Sequence, residues 1–220
     1  MNGAAIAKPA VEFYFDTSCP WSYLALDRAR EAAIRTGSRV VYRPVLVEDV
    51  LRTANPGFPA DRADPVPARA RYQAKDLADW ARYCGLTLRR PQPWPIRAEW
   101  AQRGAVAAAR LAPSPAAYLT AVFNALFADN LAISDLAVVE SLATGTGLDP
   151  HQFAAAIRDP QTLAEVASNG AALLEHGGFG TPSLLVGDDL YFGNDRLPLV
   201  EAALARQAGM RLVLPGTHGA

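Results

Sequence analysis

The residues of this 220-residue chain whose types and spacing could do chemistry are Cys19-Pro20-Trp21-Ser22. A cysteine followed by proline at the mouth of a helix meets unpaired backbone N–H groups and the positive end of the helix dipole. A thiol so placed is expected to ionise more readily than an ordinary one, whose pKa is about 8.5. Dithiol redox chemistry needs a second cysteine three positions on to resolve a mixed disulfide. Ser22 stands there, so the motif cannot close on itself. The other cysteine, Cys84, falls on the apolar stripe of a predicted helix with Leu77, Trp80 and Ala81, and reads as core. Cys19 could itself be structural, since free cysteine is among the most buried residue types. The succession of strand, Cys-Pro and helix favours the chemical reading.

The elements around the motif follow from periodicity. Residues 11–15 alternate Val, Phe and Phe against Glu and Tyr, the period of a strand. Trp21, Leu24, Ala25, Ala29 and Ala32 then share one side of a helix that Gly37 stops. Residues 39–47 are rich in Val and Tyr and predict a second strand, with Pro44 at an edge or bulge. Strand, helix, strand is a βαβ unit, so the two strands should run parallel. Residues 55–67 read as a loop and 69–176 as helices only, with start signals at Ser114-Pro115, Asp149-Pro150 and Asp159-Pro160. Residues 183–186 and 190–192 flank Gly187-Asp188-Asp189 in a hairpin pattern. Asn194 or Asp195 is then expected to cap a last helix with Leu197, Val200 and Leu204 inward.

Half of the residues are apolar, a fifth are charged, and the formal net charge is −1. No global field favours nucleic acid or an anionic membrane, and no apolar run approaches the roughly 20 residues that a bilayer requires. Two distant cysteines make no disulfide framework, and no basic stretch leads into an apolar core at the N-terminus, so a cytoplasmic location is expected. His151, His176 and His218 share no metal spacing, and no metal is expected.

The run Phe13-Tyr14-Phe15-Asp16-Thr17-Ser18-Cys19-Pro20-Trp21-Ser22-Tyr23-Leu24-Ala25 resembles the opening of the 2-hydroxychromene-2-carboxylate isomerases and kappa-class glutathione transferases. Three further stretches match: 71–81, with Lys75 and Trp80; Pro93-Trp94-Pro95 through Arg103-Gly104; and Gly178-Phe179-Gly180-Thr181-Pro182-Ser183 through Tyr191 to Leu197. The resemblance implies an α/β, thioredoxin-like fold akin to the DsbA oxidoreductases, βαβ…ββα, with a four-stranded mixed sheet and an all-α insertion. Residues 10–50 and 177–216 would form the thioredoxin-like part, and 51–176 the helical insertion.

Glutathione, or an equivalent low-molecular-weight thiol, is the implied cofactor. Cys19 stands where those isomerases usually carry the serine that hydrogen-bonds the glutathione sulfur, and where DsbA-like proteins carry the nucleophile; Ser22 could donate to either sulfur. Thr181-Pro182 would be a cis-proline turn pairing with the cysteinyl part, and Asn194, Asp195 and Arg196 would meet the γ-glutamyl end. Asn55, Arg52, Trp21, Lys75 and Trp80 would face a carboxylated aromatic substrate, with Trp94 and Trp100 as further candidate walls or as core. The implied reaction is reversible thiol addition that opens and isomerises an aromatic catabolite, in a homodimer. A monothiol thiol–disulfide oxidoreductase using Cys19 and a non-catalytic thioredoxin-fold binding module are the competing readings.

Overall fold

Val11, Phe13 and Phe15 alternate along β1 (Ala10–Phe15) and are all fully buried. They belong to a computed structural model that describes residues 8–58 and 66–210. β1 pairs in parallel with β2 (Arg39–Pro44), from Ala10 opposite Arg39 to Phe15 opposite Pro44. It pairs antiparallel with β3 (Ser183–Val186), Phe13 opposite Leu184, and β4 (Asp189–Phe192) closes the hairpin. The order β2-β1-β3-β4 is the expected four-stranded mixed sheet, with Pro44 on its edge strand.

Helix α1 (Pro20–Arg35) connects β1 to β2 and ends where Gly37 takes a φ of +64°. The described helices that follow are α2 (Val47–Ala54), α3 (Pro67–Tyr83), α4 (Glu99–Leu111), α5 (Ala116–Phe127), α6 (Leu136–Gly145), α7 (Pro150–Arg158) and α8 (Pro160–Glu175). After the hairpin come a 3-10 turn (Asn194–Arg196) and α9 (Leu197–Gln207). Among the described residues no helix is long and apolar enough to cross a membrane.

The helices cover both faces of the sheet. On one, Phe13 and Phe15 join Tyr23 of α1 and Phe123 and Phe127 of α5, and Tyr23 stacks on both phenylalanines at centroid distances of 5.6 and 5.4 Å. On the other, Tyr14 packs with Val45, Val50, Leu173 and Leu185 under α2 and α8. Tyr14 was the polar-side member of the strand alternation, and it is buried because that second face is also covered. Gly104 of α4 is required by close packing, since a Cβ there would stand 2.0 Å from the Tyr118 hydroxyl oxygen.

Several local expectations need correcting. The second strand stops at Pro44, and 47–54 is helical. α2 starts there because the Val47 N–H donates to the Asp16 carboxylate at 2.8 Å, a cap supplied from 31 residues away. Asp149 and Asp159 cap α7 and α8 as their Asp-Pro signals imply; at α5 Pro115 occupies the N-cap position, and the Ser114 hydroxyl before it accepts the Ala116 N–H at 3.2 Å. Neither Asn194 nor Asp195 caps α9 through its side chain; both sit in the 3-10 turn. Cys84 lies at the C-terminal cap of α3, half-buried with its sulfur toward the Leu24 carbonyl of α1, rather than fully within the core. Within the anticipated 55–67 loop, Asn55 closes α2 and Pro67 opens α3, while 59–65 lie outside the described residues, as do His218 and 211–216.

Candidate active site

β1 delivers a short buried turn to the mouth of α1. Asp16 is only 2 % exposed and accepts from the Ser18 N–H and hydroxyl, both at 2.7 Å, as well as from Val47. Its carbonyl accepts the Cys19 N–H at 2.9 Å. Burial raises the Asp16 carboxyl above the usual carboxylate range, and the bonds from Val47 and Ser18 offset part of that. From below, Gln102 of α4 donates to the carbonyls of Phe15 (2.8 Å) and Val45 (2.5 Å) and accepts the Thr17 N–H at 3.3 Å. One amide thereby joins the ends of β1 and β2 to the turn that carries the cysteine.

Cys19 is a free, half-buried thiol at the N-cap of α1. Its Sγ donates to the carbonyl of Thr181 at 3.3 Å. The Thr181–Pro182 bond is cis, as the resemblance implies. Burial pushes the Cys19 thiol up from its ordinary value; the side chains of Thr181 and Ser22 and the Ser22 N–H, which favour a thiolate, lower it by less, and the Asp16 charge raises it further. That direction is opposite to the acidic thiol expected from the helix terminus alone, because burial removes the water that would stabilise a thiolate. The thiol hydrogen has the Thr181 carbonyl as its acceptor.

Around it, several polar side chains lack nitrogen or oxygen partners. The buried hydroxyl of Thr17 and the amide nitrogen of Asn194 make no hydrogen bond to any described residue, and the buried hydroxyls of Ser22 and Thr181 have only the Cys19 sulfur beside them. Each such group costs about 1–3 kcal/mol when left dry. Asn194 is tied to α1 only through its carbonyl, which accepts from Arg28 at 2.9 Å.

Cys19 opens onto a cavity of about 770 Å³. Its walls come from the 16–21 turn, from α2 and Asn55, from Phe58, from the first turns of α3, from residues 94–98, and from Gly180, Thr181 and Phe192. Of the residues anticipated from sequence, Cys19, Trp21, Asn55 and Thr181 line it, and Trp94 joins them. The structure does not bring Arg52, Lys75, Trp80 or Trp100 into that wall. Arg52 turns to Glu48 at 2.7 Å, and exposed Lys75 pairs with Asp79 one turn along its own helix. Trp80 lies under the Arg28 guanidinium at 4.8 Å, and Trp100 under that of Arg103 at 4.4 Å. Asp195 and Arg196 pair with each other at 2.5 Å in the turn beside α1. Sequence reasoning missed Asp16, Arg69, Arg97, Gln102, Phe58 and Phe192. Asp16 had a local signal, as the acidic residue closing the strand just before the motif, and Arg97, Gln102 and Phe192 lay unremarked within stretches that match the family.

Comparison with known proteins now adds to the geometry. Residues 10–205 match the DSBA-like thioredoxin domain model. A 2-hydroxychromene-2-carboxylate isomerase of Pseudomonas putida is 30 % identical over 201 residues, 89 % of this chain and 94 % of the relative. One of Sphingobium xenophagum is 28 % identical over 194 residues, 88 % of this chain and 97 % of the relative. A solved 2-hydroxychromene-2-carboxylate isomerase structure superposes with a TM-score of 0.73 at 25 % identity, covering 90 % of this chain and 95 % of the other.

Proposed function

We propose that this chain, which belongs to the DSBA-like thioredoxin domain family and within it to the 2-hydroxychromene-2-carboxylate isomerase group, is a glutathione-dependent isomerase of a carboxylated aromatic electrophile. The observation that carries the reading is the Cys19 sulfur set against the carbonyl that precedes the cis proline, at the edge of a cavity large enough for an arene.

The residues present fit a thiol peptide. Thr181, whose buried hydroxyl has no nitrogen or oxygen partner, belongs to the cavity wall, where a ligand's own polar atoms would satisfy it. Thr181 and Pro182 would hold the cysteinyl part, and Asn194, Asp195 and Arg196 the γ-glutamyl end. Glutathione supplies, when bound, a nucleophilic thiolate for reversible addition to a conjugated double bond. Cys19 and Ser22 stabilise that negative charge as short-range donors, a contribution that grows in a water-poor site. Trp21, Phe58, Trp94 and Phe192 offer the apolar surface that receives the ring and excludes water. Monothiol exchange at Cys19 would need a thiolate at neutral pH, and burial works against it.

The test is turnover of 2-hydroxychromene-2-carboxylate, followed by absorbance with and without glutathione. Isomerisation only in the presence of the thiol is expected. No turnover under either condition overturns the activity, and equal turnover without any thiol overturns the cofactor.

A further inference from the structure

We infer that Arg69 and Arg97 form the subsite for the substrate's carboxylate, replacing Arg52 in that role; this rests on the isomerase reading above. Both arginines line the same cavity as Cys19, Arg69 from the first turn of α3 and Arg97 from the segment leading into α4. Arg52 points elsewhere, held by Glu48.

The charges of this cavity are divided by wall. Asp16, Glu48 and Asp49 lie on the α1 turn and α2, while the two arginines lie on α3 and the 94–98 segment. The acidic groups have explanations within the fold. Asp16 is hydrogen-bonded by three donors, Glu48 is paired with Arg52, and both Glu48 and Asp49 occupy the first turn of α2, where a helix dipole favours negative charge. The arginines have no comparable one. Arg69 makes no ion pair or hydrogen bond with any described residue, and its first-turn position runs against the dipole of α3, which has no acidic residue there. Arg97 reaches Glu99 only at 3.7 Å and keeps most of its surface in solvent.

Two guanidiniums with little or no pairing within the fold, in a cavity also lined by Phe58, Trp94 and Ile96, make a place for an anion attached to an apolar ring. An aryl carboxylate has that shape. Glutathione also carries carboxylates, but the residues suited to it lie at Thr181 and Asn194.

The probe is 1-naphthoate, titrated against the full chain by tryptophan fluorescence, with 1-naphthamide as its neutral counterpart. Wild type should bind the carboxylate more tightly than the amide. The double variant Arg69→Gln, Arg97→Gln should weaken 1-naphthoate about tenfold, equivalent to 1.4 kcal/mol, leaving 1-naphthamide and the glutathione-induced rise in melting temperature unchanged. Equal wild-type affinity for acid and amide overturns the subsite, as does an undiminished 1-naphthoate affinity in the variant. A variant that loses the glutathione response while keeping 1-naphthoate binding assigns the arginines to the thiol instead and also overturns it. These are binding measurements, so the absence of hydroxychromene turnover would sink the proposed activity without touching them.

Discussion

The Cys19 thiol donates to the carbonyl of Thr181, 162 residues away in sequence, at 3.3 Å. This bond joins the start of α1 to the turn before β3, and it fixes which protonation state of the cysteine the fold prefers. A thiol with an acceptor in front of it and little water around it keeps its proton.

If Cys19 acts as a donor, Cys19→Ser should retain or raise isomerase turnover, because a hydroxyl donates more strongly than a thiol. Cys19→Ala should lower kcat by about tenfold or more, the scale on which a single stabilising donor acts. Steady-state kinetics of both variants check this. Complete loss in the serine variant would make Cys19 the nucleophile.

Iodoacetamide should label Cys19 slowly at neutral pH. In a Cys84→Ser background, the rate should rise with an apparent pKa above the ordinary thiol value of about 8.5, and a midpoint below it would contradict the burial account. Linkage has a matching sign. The folded pKa is raised, so the unfolded chain ionises first. The contribution to stability is full below the unfolded thiol pKa and is lost as pH rises through the folded one. Urea titrations across that alkaline window should fall less steeply once Cys19 is also serine.

Asp16→Asn should destabilise the protein by about 1–3 kcal/mol, even though it removes a buried charge. Three donors converge on the carboxylate, and an amide offers one oxygen and a competing N–H. Urea unfolding at neutral pH measures the loss. Unchanged stability would mean that the cap on α2 is dispensable.

Gln102→Leu keeps the volume and removes the clamp, leaving the carbonyls of Phe15 and Val45 and the Thr17 N–H dry. A loss of about 2–4 kcal/mol is expected. Turnover should fall as well in the fraction that remains folded, since Thr17 leads directly into Cys19. Thermal melts with kinetics below the transition test both; a stable variant with wild-type turnover would deny the clamp its positioning role.

Much of the fold was written locally. Val11, Phe13 and Phe15 carry a strand's period, Asp149-Pro150 and Asp159-Pro160 announce helices, and the turn at Gly187 announces the hairpin. The helix α2 was invisible, because its cap comes from Asp16 across a chain reversal. The juxtaposition of Cys19 with a cis Thr181-Pro182 was legible because a family motif covers both segments. The site was illegible where neighbours in space decide. Arg52 and Lys75 looked available in sequence, but acidic residues on their own helices hold them.

By itself the sequence determined that a lone cysteine would stand at the mouth of the first helix without a resolving partner, since strand period, proline and serine are properties of adjacent residues. Only the tertiary structure decided what that sulfur is: a desolvated thiol facing Thr181. Proton affinity depends on the solvent and dipoles that surround a group, and here those are assembled from segments far apart along the chain.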